Sequence, residues 1–172
     1  FVSFYSKNII EKPISQINKD IPILVIENSR DKKLKSRLEN KYPNVKVLIP
    51  SHNTGNGGGI NAGFKEVKSK FVLYLDVDVK LSDQSIETLY KYAKKLENFS
   101  IIGPKIKNLI YKNEYFVEKN VLPNVHSMNF ITGCALFFNM KVINSIGYFD
   151  DNIFLYYEEN DIYLRSLKKN YK

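Results

Sequence analysis

Two aspartates, Asp76 and Asp78, close the apolar run Phe71-Val72-Leu73-Tyr74-Leu75. Side chains two apart on an extended strand point the same way, roughly 6–7 Å from each other. At that separation two carboxylates repel by about 2–3 kcal/mol at an effective dielectric near 20. A strand end accommodates this by turning both acids into water, or by holding a divalent cation between or beside them. Oxygen ligands of this kind suit Mg²⁺ or Mn²⁺, which bind one or two carboxylates together with a substrate diphosphate. A second acidic group, Glu158, Glu159 and Asp161, follows the aromatic stretch Phe154-Leu155-Tyr156-Tyr157. At the start of a helix each acid stabilises the dipole by about 0.3–1 kcal/mol, which explains one or two of them. Phe154, Tyr156 and Tyr157 would add an apolar wall that raises a carboxylate's pKa and suits it to proton abstraction.

Ahead of both groups lies Asn53-Thr54-Gly55-Asn56-Gly57-Gly58-Gly59-Ile60-Asn61-Ala62-Gly63, with five glycines in eleven residues. Such a stretch lets backbone come close to a ligand or to a neighbouring helix. It is neither the dinucleotide fingerprint nor a phosphate loop ending in Gly-Lys-Ser/Thr. Alone it reads equally as a flexible turn.

The elements that must position these residues alternate between strand and helix, the pattern of an α/β sheet. Strands are expected over 21–26, 45–49 and 71–75. Asp31 starts a helix carrying Leu34 and Leu38 that stops at Tyr42-Pro43. Ser82 or Asp83 caps a longer helix with Ile86, Leu89, Tyr90, Ala93 and Leu96 on one face. Gly103-Pro104 interrupts a strand beginning at Ile101. Residues 110–128 show the least periodicity and read as a mobile or substrate-facing connection.

At 172 residues the chain is one domain with room for a substantial core. Its 44% apolar and 26% charged content is that of a soluble globular protein, and no apolar window is long enough to span a membrane. The single cysteine, Cys134, excludes an internal disulfide and fits a reducing, cytoplasmic setting. The net charge of +8 comes from lysines scattered over helix-like segments, without an arginine-rich block. A nucleic-acid role therefore has only net charge behind it, and weak contact with an anionic cytoplasmic membrane face is the most this surface suggests. Both ends read as cut: residues 1–6 resemble the second half of a strand, and a helical pattern runs out at Lys172.

In their order, these motifs resemble those of family 2 glycosyltransferases with the GT-A fold, close to the rhamnosyltransferase-like branch. Ser3-Phe4-Tyr5-Ser6 resembles the end of that family's first strand, and Val25-Ile26-Glu27-Asn28-Ser29 its second-strand motif. Asn53, Gly55, Gly58, Gly59, Asn61 and Gly63 match its glycine-rich pattern, Asp76-Val77-Asp78 its Asp-x-Asp, and Gly147 through Arg165 its acidic block. The resemblance implies a mostly parallel twisted sheet with helices on both faces. It assigns about 1–100 to a nucleotide-binding half and about 101–172 to an acceptor-side half.

It also implies an inverting, metal-dependent transfer of a hexosyl or rhamnosyl group from a UDP- or dTDP-sugar to a glycan or lipid-linked glycan, as in cell-surface polysaccharide synthesis. Phe4, Ser6, Glu27, Asn28, Asn53, Gly58, Gly59, Asn61, Asp76 and Val77 would surround the nucleotide. Asp78, with Asp76, would hold Mg²⁺ or Mn²⁺, and Glu159 would act as base, with Glu158 and Asp161 as rivals. Glu27 stands where the family usually has Asp, and Glu158-Glu159 replaces its Glu-Asp pair. Two other readings use the same residues. A sugar-phosphate nucleotidyltransferase would need a basic glycine-rich turn where Ser6-Lys7-Asn8 stands. A fragment that binds nucleotide or carbohydrate without turnover would need no base.

Overall fold

The computed structural model describes residues 1–96, 98–104, 117–122, 125–128, 131 and 133–171. Strand β1 (Val2–Ser3) leads through helix α1 (Glu11–Gln16) to β2 (Ile23–Glu27), then α2 (Lys32–Lys41) and β3 (Val45–Leu48). Helix α3 (Gly55–Glu66) precedes β4 (Phe71–Leu75), and α4 (Asp83–Lys95) precedes β5 (Ile101–Ile102). After β6 (Val117–Leu122) and β7 (Val125–Met128) come β8 (Ala135–Asn139), α5 (Met140–Ile146) and α6 (Glu158–Lys168).

The expected α/β class is what the chain adopts, with its pairings divided by half. Strands β1, β2 and β3 form a parallel sheet in that order. Strands β4, β8 and β5 form a second ladder with β8 central and antiparallel to both neighbours. Insertion of β8 between β4 and β5 makes both pairings of this ladder antiparallel, because only a crossover connection keeps neighbouring strands parallel. The expected 110–128 connection is partly outside the described residues; its described part is the antiparallel pair β6–β7.

Helix starts follow the local chemistry. Asp31 caps α2 by accepting from the N–H groups of Lys33 and Leu34, and Ser82 caps α4 by accepting from Ser85. Leu34 and Leu38 then seal the first sheet with Ile10, Ile14, Val25 and Val47. A second cluster joins Ile60, Phe64 and Tyr74 to Leu136, Phe138, Ile143, Phe149 and Ile162. That cluster fastens α3, β4, β8 and α6 into one body, and the acidic residues sit at its edge.

The glycine-rich stretch is not a loop. Most of it is α3, although each interior glycine costs about 1 kcal/mol against alanine. Close packing supplies the reason. A Cβ on Gly59 would stand 2.7 Å from a Val2 methyl on β1, and one on Gly57 would stand 3.2 Å from Phe149 Cβ. Gly55 has φ of +71°, and a Cβ there would fall 2.1 Å from Phe154 O. Only glycine lets the Phe154 carbonyl approach and accept from Asn56 N–H at 3.0 Å.

Candidate active site

The strand ends converge as the α/β architecture requires: Ser3 ends β1, Glu27 ends β2, and Asp76 follows the last residue of β4. Asp76 and Asp78 do not share an extended strand. Val77 and Asp78 form a turn closed by Val79 N–H on Asp76 O at 3.1 Å, so the expected alternation stops at Leu75. Asp76 is half-buried and Asp78 exposed. Burial, above all, raises the Asp76 pKa, and the charges of Asp78 and Glu158 push it the same way; a hydrogen bond from Tyr74 opposes the shift.

Two side chains, Tyr74 and Asn56, link Asp76 to Glu158 of α6. Tyr74 Oη contacts both Asp76 Oδ1 and Asn56 Oδ1, the latter at 2.8 Å. Asn56 Nδ2 donates to Glu158 Oε1 at 2.5 Å. Glu158 is only 4% exposed, and its Oε2 has no hydrogen-bond partner among the described residues. Glu159 is next along the helix, half-buried, with its carboxylate against Gly133. Its pKa is raised by desolvation first and then by Glu158 and Asp76, while its own backbone N–H opposes the rise. The adjoining Cys134 carbonyl accepts from Asp76 N–H at 2.9 Å, so one short segment touches both carboxylate positions.

The expected aromatic wall is elsewhere. Phe154, Tyr156 and Tyr157 are 55%, 72% and 73% exposed, and Tyr156 and Tyr157 both have left-handed backbone. These conformations turn the rings to solvent. Packing of Glu158 against α3, where its Cβ lies 3.5 Å from a Cβ built on Gly57, buries it instead.

Asp161 is engaged differently from Glu159. Arg165 donates to Asp161 Oδ2 through Nε at 2.9 Å and Nη2 at 2.5 Å, and also to the carbonyls of Ile146, Gly147 and Tyr148. This pair latches α6 to the end of α5, leaving Glu158 and Glu159 as the acids of this helix start that carry no ion pair among the described residues.

The residues expected around a nucleotide divide into two groups. Glu27 is fully buried, and its carboxylate accepts from Ser3 Oγ, Ser29 Oγ and Ser29 N–H, the last at 2.9 Å. It ties β1 to β2 and presents no free oxygen edge. Asn28 donates to Gly55 O at 2.9 Å and accepts from Thr54, while Asn53 accepts from Gly55 N–H. Asn61 bonds the 149–151 segment, and Gly59 meets β1. Gly58 faces Thr54 Cβ, 2.9 Å from a built Cβ. Phe4 is exposed, whereas Ser6 is buried with its hydroxyl on Phe4's backbone. A hollow of about 340 Å³ beside them is lined by Tyr5, Ser6, Lys7, Ser29, Asp31 and Leu34. A larger one of about 670 Å³, between the ends of α1 and α2, includes none of these site residues.

A cation suits the Asp76 turn on charge grounds, since burial and the neighbouring acids Asp78 and Glu158 disfavour a bare negative charge there. Among the described residues no group of three or more His, Cys, Asp and Glu converges into a cage. The fit is therefore to an ion that takes few protein oxygens and completes its shell with substrate phosphate and water.

Sequence reasoning missed Tyr74, Asn56 and Arg165. Tyr74 was reachable, being two residues before Asp76 on a strand, and so was Arg165, four after Asp161 on a helix. Asn56 carried no local signal.

Residues 7–155 match the family model for glycosyl transferase family 2. The chain belongs to that family. It is 26% identical over 98% of its length to the low-salt glycan biosynthesis hexosyltransferase Agl10 of Haloferax volcanii, spanning 61% of that protein. It is also 26% identical over 95% of its length to an uncharacterised glycosyltransferase of Rickettsia typhi, spanning 55% of it. The chain thus covers little more than half of these relatives. Among solved structures, S. aureus TarS (residues 1–349) superposes with a TM-score of 0.73 at 17% identity, covering 96% of this chain and 53% of that one. The mannosyltransferase PcManGT from Pyrobaculum calidifontis, in complex with GDP-Man and Mn²⁺, gives 0.70 at 10% identity over 88% of this chain and 46% of that one. These likenesses establish the GT-A fold. Among the described residues no helix is long and apolar enough to cross a membrane.

Proposed function

We propose that this glycosyltransferase core binds a nucleotide-diphosphate sugar at its strand ends and transfers the sugar, with inversion, to a hydroxyl of a glycan or lipid-linked glycan. The observation that carries this reading is the meeting of Asp76 and Glu159 across the Gly133-Cys134 segment, both with raised pKa and neither ion-paired among the described residues. Solved neighbours in complex with UDP, UDP-GlcNAc or GDP-Man and Mn²⁺ support a nucleotide-sugar donor. The first hundred residues form the donor side and the remainder the acceptor side.

The hollow beside Tyr5, Ser6 and Ser29 takes the nucleoside, with its walls set by Glu27 and Asn28 from behind. Asp78, exposed on the turn, and Asp76 would hold Mg²⁺ or Mn²⁺, which when bound neutralises charge on the departing diphosphate. Glu159 accepts the proton of the acceptor hydroxyl as its oxygen bonds the anomeric carbon and the sugar–phosphate bond breaks. Partial burial keeps that carboxyl basic enough for the task, and Glu158 behind it resists its ionisation.

The test is Glu159→Gln. It abolishes transfer while UDP affinity stays within about threefold, since a base contributes about 10²–10⁴-fold to the chemical step and not to donor binding. Near-normal transfer by Glu159→Gln with loss in Asp161→Asn would move the base to Asp161.

A further inference from the structure

Nothing in the family pattern assigns Tyr74 or Asn56 a part in the reaction. We propose that these two are positioning residues that transmit occupancy of the Asp76 turn to the start of α6, so that donor binding sets the base in place. The inference rests on the donor-site reading above.

Orientation is forced from the Glu158 end. An ionised carboxylate only accepts, so Asn56 must turn its Nδ2 toward Glu158 Oε1, 2.5 Å away. Its Oδ1 then faces Tyr74 Oη at 2.8 Å. Tyr74 Oη is also in contact with Asp76 Oδ1. One hydroxyl proton therefore stands between two acceptors and serves one at a time. While the Asp76 charge is uncompensated, the charge-assisted bond to Asp76 holds the proton, and Tyr74 meets Asn56 oxygen to oxygen. When a bound cation takes up that charge, Asp76 becomes the weaker acceptor and the hydroxyl turns to Asn56. The chain Tyr74–Asn56–Glu158 is then hydrogen-bonded throughout.

Its far end is the first turn of α6, which starts without a side-chain cap. Tyr157, at the cap position, has φ of +66° and makes no side-chain cap bond. Its carbonyl accepts from Asn160 at 3.1 Å and from Asp161 at 3.4 Å, the second a long bond. Glu158, gripped by Asn56, anchors this turn on the side of the Asp76 turn, Asp161 is held by Arg165, and Glu159 is Glu158's neighbour. Tyr74 itself is a rigid support: 4% exposed, with its ring in the central core cluster.

Hydrogen–deuterium exchange of the full chain, with and without UDP plus Mn²⁺, tests the link. In the wild type, ligand is expected to slow exchange both at the 76–79 turn and at the amides of Asn160 and Asp161. Tyr74→Phe removes one oxygen and keeps the ring; it is expected to retain protection at the turn and lose it at α6. Asn56→Ala, which leaves the core cluster untouched, should behave alike. In both variants kcat falls by about tenfold or more while donor KM stays within about threefold. Ligand-induced α6 protection that persists in Tyr74→Phe and Asn56→Ala overturns the link. So does loss of protection at both places, which is failed nucleotide binding. Wild-type protein with protection at neither place overturns the donor-site reading, and the link with it.

Discussion

Asn61 offers the sharpest separation between holding the site and touching the ligand. It is 4% exposed and makes three hydrogen bonds to one segment: Nδ2 to Phe149 O at 2.9 Å, Nδ2 to Asp151 Oδ1 at 2.8 Å, and Oδ1 from Phe149 N–H at 3.0 Å. Asn61→Ala leaves the peptide N–H and carbonyl of the buried Phe149 without partners. Each such group costs about 1–3 kcal/mol, so a loss of about 4 kcal/mol is a central value for the pair. For a domain of this size each kcal/mol moves Tm by roughly 2–4 °C, which gives a fall of roughly 8–16 °C. Asn61→Asp keeps the acceptor for Phe149 N–H, loses both donors and opposes the Asp151 carboxylate, so it should destabilise at least as much at neutral pH. Thermal unfolding measures this, and calorimetric titration with UDP at 10 °C, where both variants remain folded, measures binding. The expected result is a lowered Tm with UDP affinity within a few-fold. An unchanged Tm accompanied by a large loss of affinity would refute the structural role and return Asn61 to direct nucleotide contact.

Two further outcomes follow from the acidic helix. Because the Glu159 pKa is raised above its ordinary 4.5, the ionised base is lost as pH falls through that higher value. The acid limb of kcat/KM should therefore lie above pH 4.5, and an acid limb below it would contradict the burial argument. For stability the sign is opposite: a raised acid contributes fully below its unfolded value, and the contribution is lost as pH rises through the folded one. Glu159→Gln should thus gain Tm over wild type at pH 8 and lose that gain near pH 4. Asp161→Asn weakens the hold on Arg165, a part-buried pair, and should lower Tm while leaving kcat of the folded enzyme within a few-fold. A kcat loss comparable with that of Glu159→Gln at unchanged Tm would contradict this.

Much of the framework was legible because period and capping are local. Asp31 and Ser82 cap the helices expected of them, and the alternation of strands with helices identifies the α/β class. The acidic trio also begins a helix as its dipole chemistry implies. The errors arose where a residue's partner is distant in sequence. The glycines of α3 look like a loop until Val2 and Phe149 are seen against them. Phe154, Tyr156 and Tyr157 look like a wall until left-handed backbone turns two of them outward. The hydroxyl that ties Glu27 to β1 comes from Ser3, 24 residues away. The choice between Glu159 and Asp161 likewise needs the Arg165 latch, which reaches the Ile146 carbonyl at the end of α5, 19 residues away.

The central claim is a cation-assisted nucleotide-sugar site at the Asp76 turn, and a thermal-shift screen of UDP-, dTDP- and GDP-sugars with and without Mn²⁺ tests it most directly. A donor at a hundred times its Kd stabilises the folded state by about 2.7 kcal/mol, or roughly 5–10 °C for a domain of this size. At least one donor should produce such a shift with Mn²⁺, and Asp78→Asn or EDTA should abolish it. A shift of the same size in EDTA, or none with any donor, would contradict the account.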